Sequence, residues 1–148
     1  MDAVKRKDIG AYNRLVSDHQ DLVYNFAYYV LCDEKAAISA TEQAFLKAFH
    51  KLDKYKDGPF RFWLLRNLIE ICQSMIKGEP KYSGHIKQPV DASIPFASLL
   101  PQLRMALVLI EMEGLNYEQA AELTGSSPHK IAQQLSKARQ QLSLSNPG

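Results

Sequence analysis

Cysteine is scarce in this sequence: its 148 residues include only two, Cys32 and Cys72. They stand far apart among apolar neighbours and form no CxxC pair, so we expect reduced thiols in the core rather than a disulfide or a redox motif. Histidine occurs four times, at positions whose spacing to cysteines and carboxylates suits no metal-ligand set. The sequence therefore predicts no metal site and no other cofactor.

Long apolar runs are also missing. No stretch approaches the roughly 20 apolar residues that a membrane helix needs, and the opening MDAVKRKDIG lacks the apolar core of a signal peptide. We therefore expect no membrane insertion and a location in the cytoplasm. With 46% hydrophobic and 23% charged residues, the composition is typical of a globular chain that buries one sizeable core or two small ones.

The side-chain sets that enzymes use are absent as well. The sequence offers no paired carboxylates, no Ser/His/Asp set and no phosphate-binding glycine loop. It therefore predicts a protein that is not an enzyme. A small helical enzyme is retained only as a third hypothesis, which a loss of turnover on mutating His50 or Glu70 would revive.

The distribution of apolar residues predicts an all-α fold of two small helical domains, because these residues recur at helical spacing and never alternate as in strands. Residues 79–98 contain three prolines, a glycine and no apolar period, so we expect a linker between domains 1–78 and 99–148. One helix of the first domain is apolar on nearly all sides and should lie in its middle. The expected helices are residues 9–31, 34–52 and 60–76, the last being this apolar helix, and residues 99–112.

Residues 116–142 have the pattern of two helices joined by a tight turn, the unit that many proteins use to place a helix in the DNA major groove. Asn116, with Gln119 three residues on, predicts a capping box at the start of the first helix. Gly125 can take the left-handed conformation that ends a helix, and the serine and proline at 127 and 128 are typical of the start of the next.

The second helix of this unit carries one apolar and one polar face. Ile131, Leu135, Ala138 and Leu142 recur at helical spacing and should be buried. On the opposite face, glutamine can pair with adenine and lysine can reach guanine or phosphate. The alternative is an ordinary helical hairpin with a solvated polar face. The residues predicted to bind duplex DNA are His129, Lys130, Gln133, Gln134 and Lys137.

Charge changes sign along the same region, although the net charge of the chain is only +2. Residues 111–122 hold four glutamates and no base, whereas residues 127–142 hold three cations and no acid. Such a change between a scaffold helix and a reading helix is the electrostatic footprint expected of DNA binding. A solvated surface would produce charge runs too, so this observation adds modest support.

The break before the third helix, DKYKDGPFR, interleaves cations with aromatic rings. Unpaired bases can stack on such rings, at about 1–3 kcal/mol each, while the cations hold phosphates. In the alternative interpretation Phe60, with or without Tyr55, anchors the loop to the core and the lysines are merely solvated. The residues predicted to bind single-stranded DNA here are Lys54, Tyr55, Lys56, Phe60 and Arg61.

Several separate motifs, in order along nearly the whole chain, resemble bacterial RNA polymerase sigma factors of the small extracytoplasmic-function (ECF) group. The motifs are Trp63-Leu64-x-Arg66-Asn67, Leu100-Pro101, Glu113-Gly114-Leu115-x-Tyr117 and Lys137-Ala138-Arg139. In that family the first domain binds the clamp helices of the polymerase and captures unpaired bases of the promoter −10 element. The second domain binds the −35 element through its helix-turn-helix.

The resemblance implies a transcription initiation factor whose partners are core RNA polymerase, promoter DNA and an anti-sigma factor. It adds Arg66 and Asn67 to the residues expected to capture the −10 strand. It also implies polymerase binding on the second helix, at Glu42, Gln43 and Lys47.

Departures from the family pattern support a second hypothesis. The second helix has Ala37-Ile38-Ser39 where the family usually shows alanine-glutamate-aspartate, and the reading helix has two fewer cations. Because each neutralised phosphate adds almost one unit to the salt-dependence slope, we expect weaker DNA affinity with a flatter dependence on salt. The alternative is therefore a divergent sigma-like regulatory or protein-interaction protein that has lost polymerase or promoter binding. The other departures are Glu42, Ile71, Ser74, Gln133 and Gln134.

Overall fold

The computed structural model describes residues 9–55, 58–78 and 96–145, and it confirms the predicted all-α class. Within these residues there is no strand, and no helix is both long and apolar enough to span a membrane. The helices are α1 (Ile9–Leu31), α2 (Glu34–His50), a 3-10 turn (Leu52–Lys54), α3 (Phe60–Ile76), α4 (Pro101–Leu107) with a π-helical turn (Val108–Met112), α5 (Tyr117–Thr124) and α6 (Pro128–Ser145).

Helices α1 to α3 form the first block. The two-residue connection between α1 and α2 includes Cys32, which has a positive φ of 54°, and Asp33, whose carboxylate accepts a hydrogen bond from the Ala36 amide. This cap begins α2. The alanines of α2 that face inward are fully buried, so their small size lets neighbouring helices approach closely. Helix α3 packs against both α1 and α2, as its all-round apolar sequence predicts.

Two predicted helix boundaries differ from the structure for local reasons. The helix expected over 34–52 ends at His50, because Lys51 leaves helical geometry and a separate 3-10 turn follows. The helix expected over 99–112 begins at Pro101, since the residue before a proline is disfavoured in the helical region and Leu100 is extended. Its last turn widens to a π-helix closed by a bond from the Glu113 amide to the Val108 carbonyl.

Helices α4 to α6 form the second block, and the two blocks share one apolar core. Val108 and Leu109 are buried in the same cluster as Leu68 and Ile69 of α3. A smaller cluster within the second block joins α4 to α6 through Leu103, Leu135 and neighbouring side chains. The predicted domain boundaries stay a prediction, because residues 79–95 of the expected linker lie outside the described part of the chain.

Arg104 of α4 is a buried cation at the junction of the blocks. Its side chain donates to three backbone carbonyls of the described residues: Nε donates to Val30 at 2.7 Å, and Nη1 donates to Leu99 at 2.6 Å and to Ala97 at 3.2 Å. The Val30 carbonyl belongs to the last turn of α1, where helices leave carbonyls unsatisfied and carry partial negative charge. Burial lowers the pKa of Arg104, and the three carbonyls compensate the cation, which forms no ion pair with a carboxylate of the described residues.

Candidate nucleic-acid interface

The helix-turn-helix predicted over residues 116–142 is present with the expected caps. The Asn116 side chain accepts from the Gln119 amide at 2.8 Å, and the Gln119 side chain accepts from the Asn116 amide at 3.0 Å. Gly125 ends α5 in the left-handed region, with φ 73°. Ser127 Oγ then accepts from the Lys130 amide at 3.1 Å and caps α6. Local sequence therefore fixes the angle at which α6 leaves the turn.

Helix α6 presents the polar surface that the sequence predicts. Ile131, Leu135 and Ala138 are buried, which turns the opposite side of the helix outward. The predicted duplex-binding residues, which we call the reading face, are exposed except for the half-buried Gln134; they are His129, Lys130, Gln133, Gln134 and Lys137. The arrangement suits insertion of a helix into a major groove, and the DNA contacts themselves stay a prediction.

The loop predicted to capture single-stranded DNA, which we call the capture loop (residues 54–61), is anchored by its aromatic rings. Tyr55 and Phe60 are only 6% and 7% exposed, and both pack against Trp63, with ring centroids 5.4 and 5.8 Å away. The Tyr55 hydroxyl donates to the Gly58 carbonyl. The stacking prediction is therefore wrong for this arrangement of the loop, because the buried rings offer no free face to a base. The rings anchor the loop to the core, as in the alternative interpretation.

The remaining polar residues of this predicted site fall into three groups. Lys54 is exposed, and Lys56 lies outside the described residues. Asn67 is 6% exposed and donates to the Trp63 carbonyl at 2.9 Å, so its side chain is used within α3 rather than offered to DNA. Arg61 and Arg66 reach the surface, where both contact the second block.

Both arginines bind carboxylates of the second block. Arg61 Nη2 donates to the Glu113 carbonyl at 3.1 Å and to the Glu113 carboxylate at 3.2 Å. Arg66 Nη2 donates to Glu122 Oε1 at 2.9 Å. The sequence reasoning missed this pairing, although a signal was present in the acidic run of residues 111–122. Two glutamates of that run pair with the predicted strand-binding cations, Glu113 with its side chain largely buried and Glu122 with its side chain largely exposed.

The residues predicted to bind polymerase lie along α2 and differ in availability. Glu42 is exposed, whereas Gln43 donates to the Ser39 hydroxyl at 2.6 Å. Lys47 forms an ion pair with Glu70 of α3, and its side chain is only 11% exposed. Glu42 therefore presents the most accessible polar group of the three.

An apolar groove of about 450 Å³ runs beside Glu42, between α1 and α2. It is lined by Tyr12, Phe45 and Leu46, the last being 58% exposed. The Tyr12 hydroxyl donates to the Phe45 carbonyl, and burial raises the pKa of Tyr12 to about 12. No local sequence pattern indicates this groove, because its walls come from two helices and form only when these pack together.

No cluster of three or more metal-ligating side chains occurs among the described residues. Cys32 and Cys72 are both buried, as predicted, and the Cys32 thiol donates to the Tyr29 carbonyl at 3.4 Å. Burial raises the pKa of Cys72 to about 12, so its thiol stays protonated and unreactive at neutral pH.

Known families account for most of the chain. The family model of Sigma-70 region 2 matches residues 15–79, and that of Sigma-70, region 4 matches residues 96–142. The paired helical blocks and the helix-turn-helix define a DNA-binding class of protein, and with these two matches the chain belongs to the sigma-70 family. The ECF RNA polymerase sigma factor SigE of Mycolicibacterium smegmatis is 25% identical over 154 residues, which supports the ECF type. That alignment covers 89% of this chain, and the chain spans 60% of the relative's length.

Two solved structures share the fold. CnrH, in complex with the cytosolic domain of CnrY, superposes with a TM-score of 0.74 at 21% identity, over 95% of this chain and 90% of that one. The sigma factor RpoE of Bartonella quintana, in complex with the anti-sigma factor NepR, gives a TM-score of 0.72 at 20% identity, over 90% of this chain and 94% of that one. At these identities the likeness concerns the fold alone.

Proposed function

We propose that this protein is a transcription initiation factor that binds core RNA polymerase and directs it to promoter DNA. The observation that carries the proposal is the capped helix-turn-helix with its outward reading face, set behind a region 2 block in the order that the sigma-70 family uses. The protein acts without chemistry of its own. Its place is the cytoplasm, because promoter DNA and polymerase are there.

The two blocks divide the work. The reading face of α6 contacts the −35 duplex, with Gln133 and Lys130 directed at base edges and phosphates. The capture loop serves the unpaired −10 strand through Lys54 and Arg61, together with Arg66 one turn further along α3, while the buried rings hold the loop in place. The core polymerase binds along α2, next to the apolar groove.

Promoter binding requires the blocks to separate. Phosphates must displace Glu113 and Glu122 from Arg61 and Arg66 in the closed arrangement, and α5 lies across the cleft beside the capture loop. In the closed arrangement the second block thus places carboxylates where DNA phosphates would bind. Polymerase favours the open form if it binds that form better than the closed one. An anti-sigma factor of the kind bound to RpoE would have the opposite effect by holding the closed form.

A co-elution experiment tests the proposal directly. Purified protein is mixed with core polymerase at physiological salt, and the complex is used to select DNA from a random pool. We expect co-elution and enrichment of a two-element site. If the folded protein fails to associate with polymerase, the proposal falls and the alternative of a divergent sigma-like regulatory protein is favoured.

A further inference from the structure

A second cleft between the two blocks, of about 250 Å³, lies where α3 ends and α6 begins. The first block contributes Gln73, Ile76 and Lys77, and the second contributes Met105, Lys130 and Gln134. Gln73 also bridges the blocks, because its side-chain amide donates to the Thr124 carbonyl at 3.2 Å. The cleft therefore exists only while the blocks are closed.

The charge of this cleft is unbalanced. Lys77 and Lys130, both exposed, come from opposite blocks, and none of the described residues that line the cleft is acidic. Neither lysine takes part in an ion pair with another described residue. In the neighbouring cleft, by contrast, Arg66 of one block meets Glu122 of the other. Like charges on both walls of a shared cleft repel each other, and a negative group between them would reverse that effect.

The other lining groups indicate what kind of anion fits. The amides of Gln73 and Gln134 can hydrogen-bond oxygen-rich groups, and the Lys130 side chain adds a positive charge from the α6 side of the cleft. Ile76 and Met105 supply an apolar wall that suits a ring. The volume lies just below the range of about 300–1,000 Å³ that drug-sized ligands occupy, so a small molecule fits and a DNA duplex does not.

We propose that this cleft binds a phosphorylated metabolite of mononucleotide size, with its phosphate between Lys77 and Lys130 and its base against Ile76 and Met105. Such a ligand contacts both blocks at once, so it stabilises the closed arrangement. Lys130 and Gln134 belong to the reading face, and the bound ligand therefore competes with duplex DNA. This consequence rests on the proposed function, whereas ligand binding itself does not.

Calorimetric titration of the full chain tests the site, with guanosine monophosphate, inorganic phosphate and pyrophosphate as probes at fixed ionic strength. We expect saturable binding of the nucleotide, at least about tenfold weaker in Lys77→Gln and unchanged in Lys35→Gln, a matched change of an exposed lysine on α2. Far-UV circular dichroism establishes that both variants fold. Added nucleotide should raise the melting temperature only of those proteins that still bind it.

Three results would overturn this inference: no saturable nucleotide binding, equal binding by Lys77→Gln, or equal affinity for nucleotide and inorganic phosphate. The titration contains neither polymerase nor DNA, so its failure leaves the proposed function standing. Conversely, a protein that ignores polymerase can still bind the nucleotide. Competition is then measured separately: saturating nucleotide should weaken duplex binding by the wild-type chain and have less effect on Lys77→Gln.

Discussion

The two predicted DNA-binding surfaces differ in how the closed arrangement restrains them. At the capture loop, Arg61 and Arg66 are bound to carboxylates of the opposite block. On the reading face, Lys130 and Lys137 are exposed and take no part in the ion pairs of the described residues. The capture-loop surface is blocked by charge, whereas the reading face is restrained mainly because α3 lies across the cleft from it. Opening should therefore change single-strand binding more than duplex binding.

The free-energy contributions show which interactions hold the two blocks together and which ones mask the capture loop. Burying a side chain such as Leu109 contributes about 1.5–3 kcal/mol. An exposed ion pair such as Arg66–Glu122 contributes about 0–1 kcal/mol. The shared apolar core and the buried Arg104 therefore stabilise the closed form, and the ion pairs at its edge decide which groups are available to DNA.

Replacing Arg104 by alanine should have the largest effect, because both DNA-binding surfaces depend on the junction of the two blocks in which Arg104 is buried. The carbonyls of Val30, Ala97 and Leu99 would lose their donor, at a cost of about 3 kcal/mol in the free energy of unfolding. Urea unfolding measures the loss. Arg14→Ala, a change of an exposed arginine on α1, is the control. A loss below about 1 kcal/mol would mean that water satisfies these carbonyls equally well.

Local signals in the sequence were sufficient to predict the helices and the turn of the helix-turn-helix. The capping box at Asn116 and the left-handed Gly125 depend on residues within a few positions, so their pattern is legible without tertiary information. The contact of the two blocks is different. Whether Glu122 pairs with Arg66 depends on the packing of residues 56 positions apart, which no local sequence pattern indicates. The sequence likewise left open whether Tyr55 is buried, because its burial depends on the packing of Trp63 against it.

Replacing Lys130 and Gln133 together by alanine should test whether the reading face works independently of the loop. We expect duplex affinity to fall about tenfold or more and the salt slope to decrease by about one, because one base contact and one phosphate contact are lost. Filter binding to the selected duplex at several salt concentrations measures both. Gln140→Ala, an exposed glutamine further along α6, is the matched control. Equal loss of polymerase co-elution would indicate misfolding or a wrong assignment of the face.

Replacing Glu113 and Glu122 together by glutamine should remove the charge that masks the capture loop. Arg66 would lose its carboxylate partner, and Arg61 would keep only its hydrogen bond to the backbone carbonyl of residue 113. The chain should then bind a single-stranded oligonucleotide about threefold to tenfold more tightly, since about 1.4 kcal/mol corresponds to tenfold and each pair contributes about 1 kcal/mol or less. Fluorescence anisotropy measures the change. Glu118→Gln removes a charge from the same acidic run but breaks no described ion pair. If Glu118→Gln has the same effect, net charge rather than unmasking is responsible.

The smallest effect is expected from Arg139→Gln, which removes a cation that pairs with Glu111 within the second block. Both side chains of this pair are about half exposed, so the free energy of unfolding should hardly change. Single-strand binding should not change, because this pair does not join the blocks. Thermal unfolding and anisotropy measure the two quantities. If Arg139→Gln binds the oligonucleotide more tightly, the blocks are coupled through α6 as well. The difference between the two DNA-binding surfaces could then no longer be attributed to the ion pairs of Arg61 and Arg66.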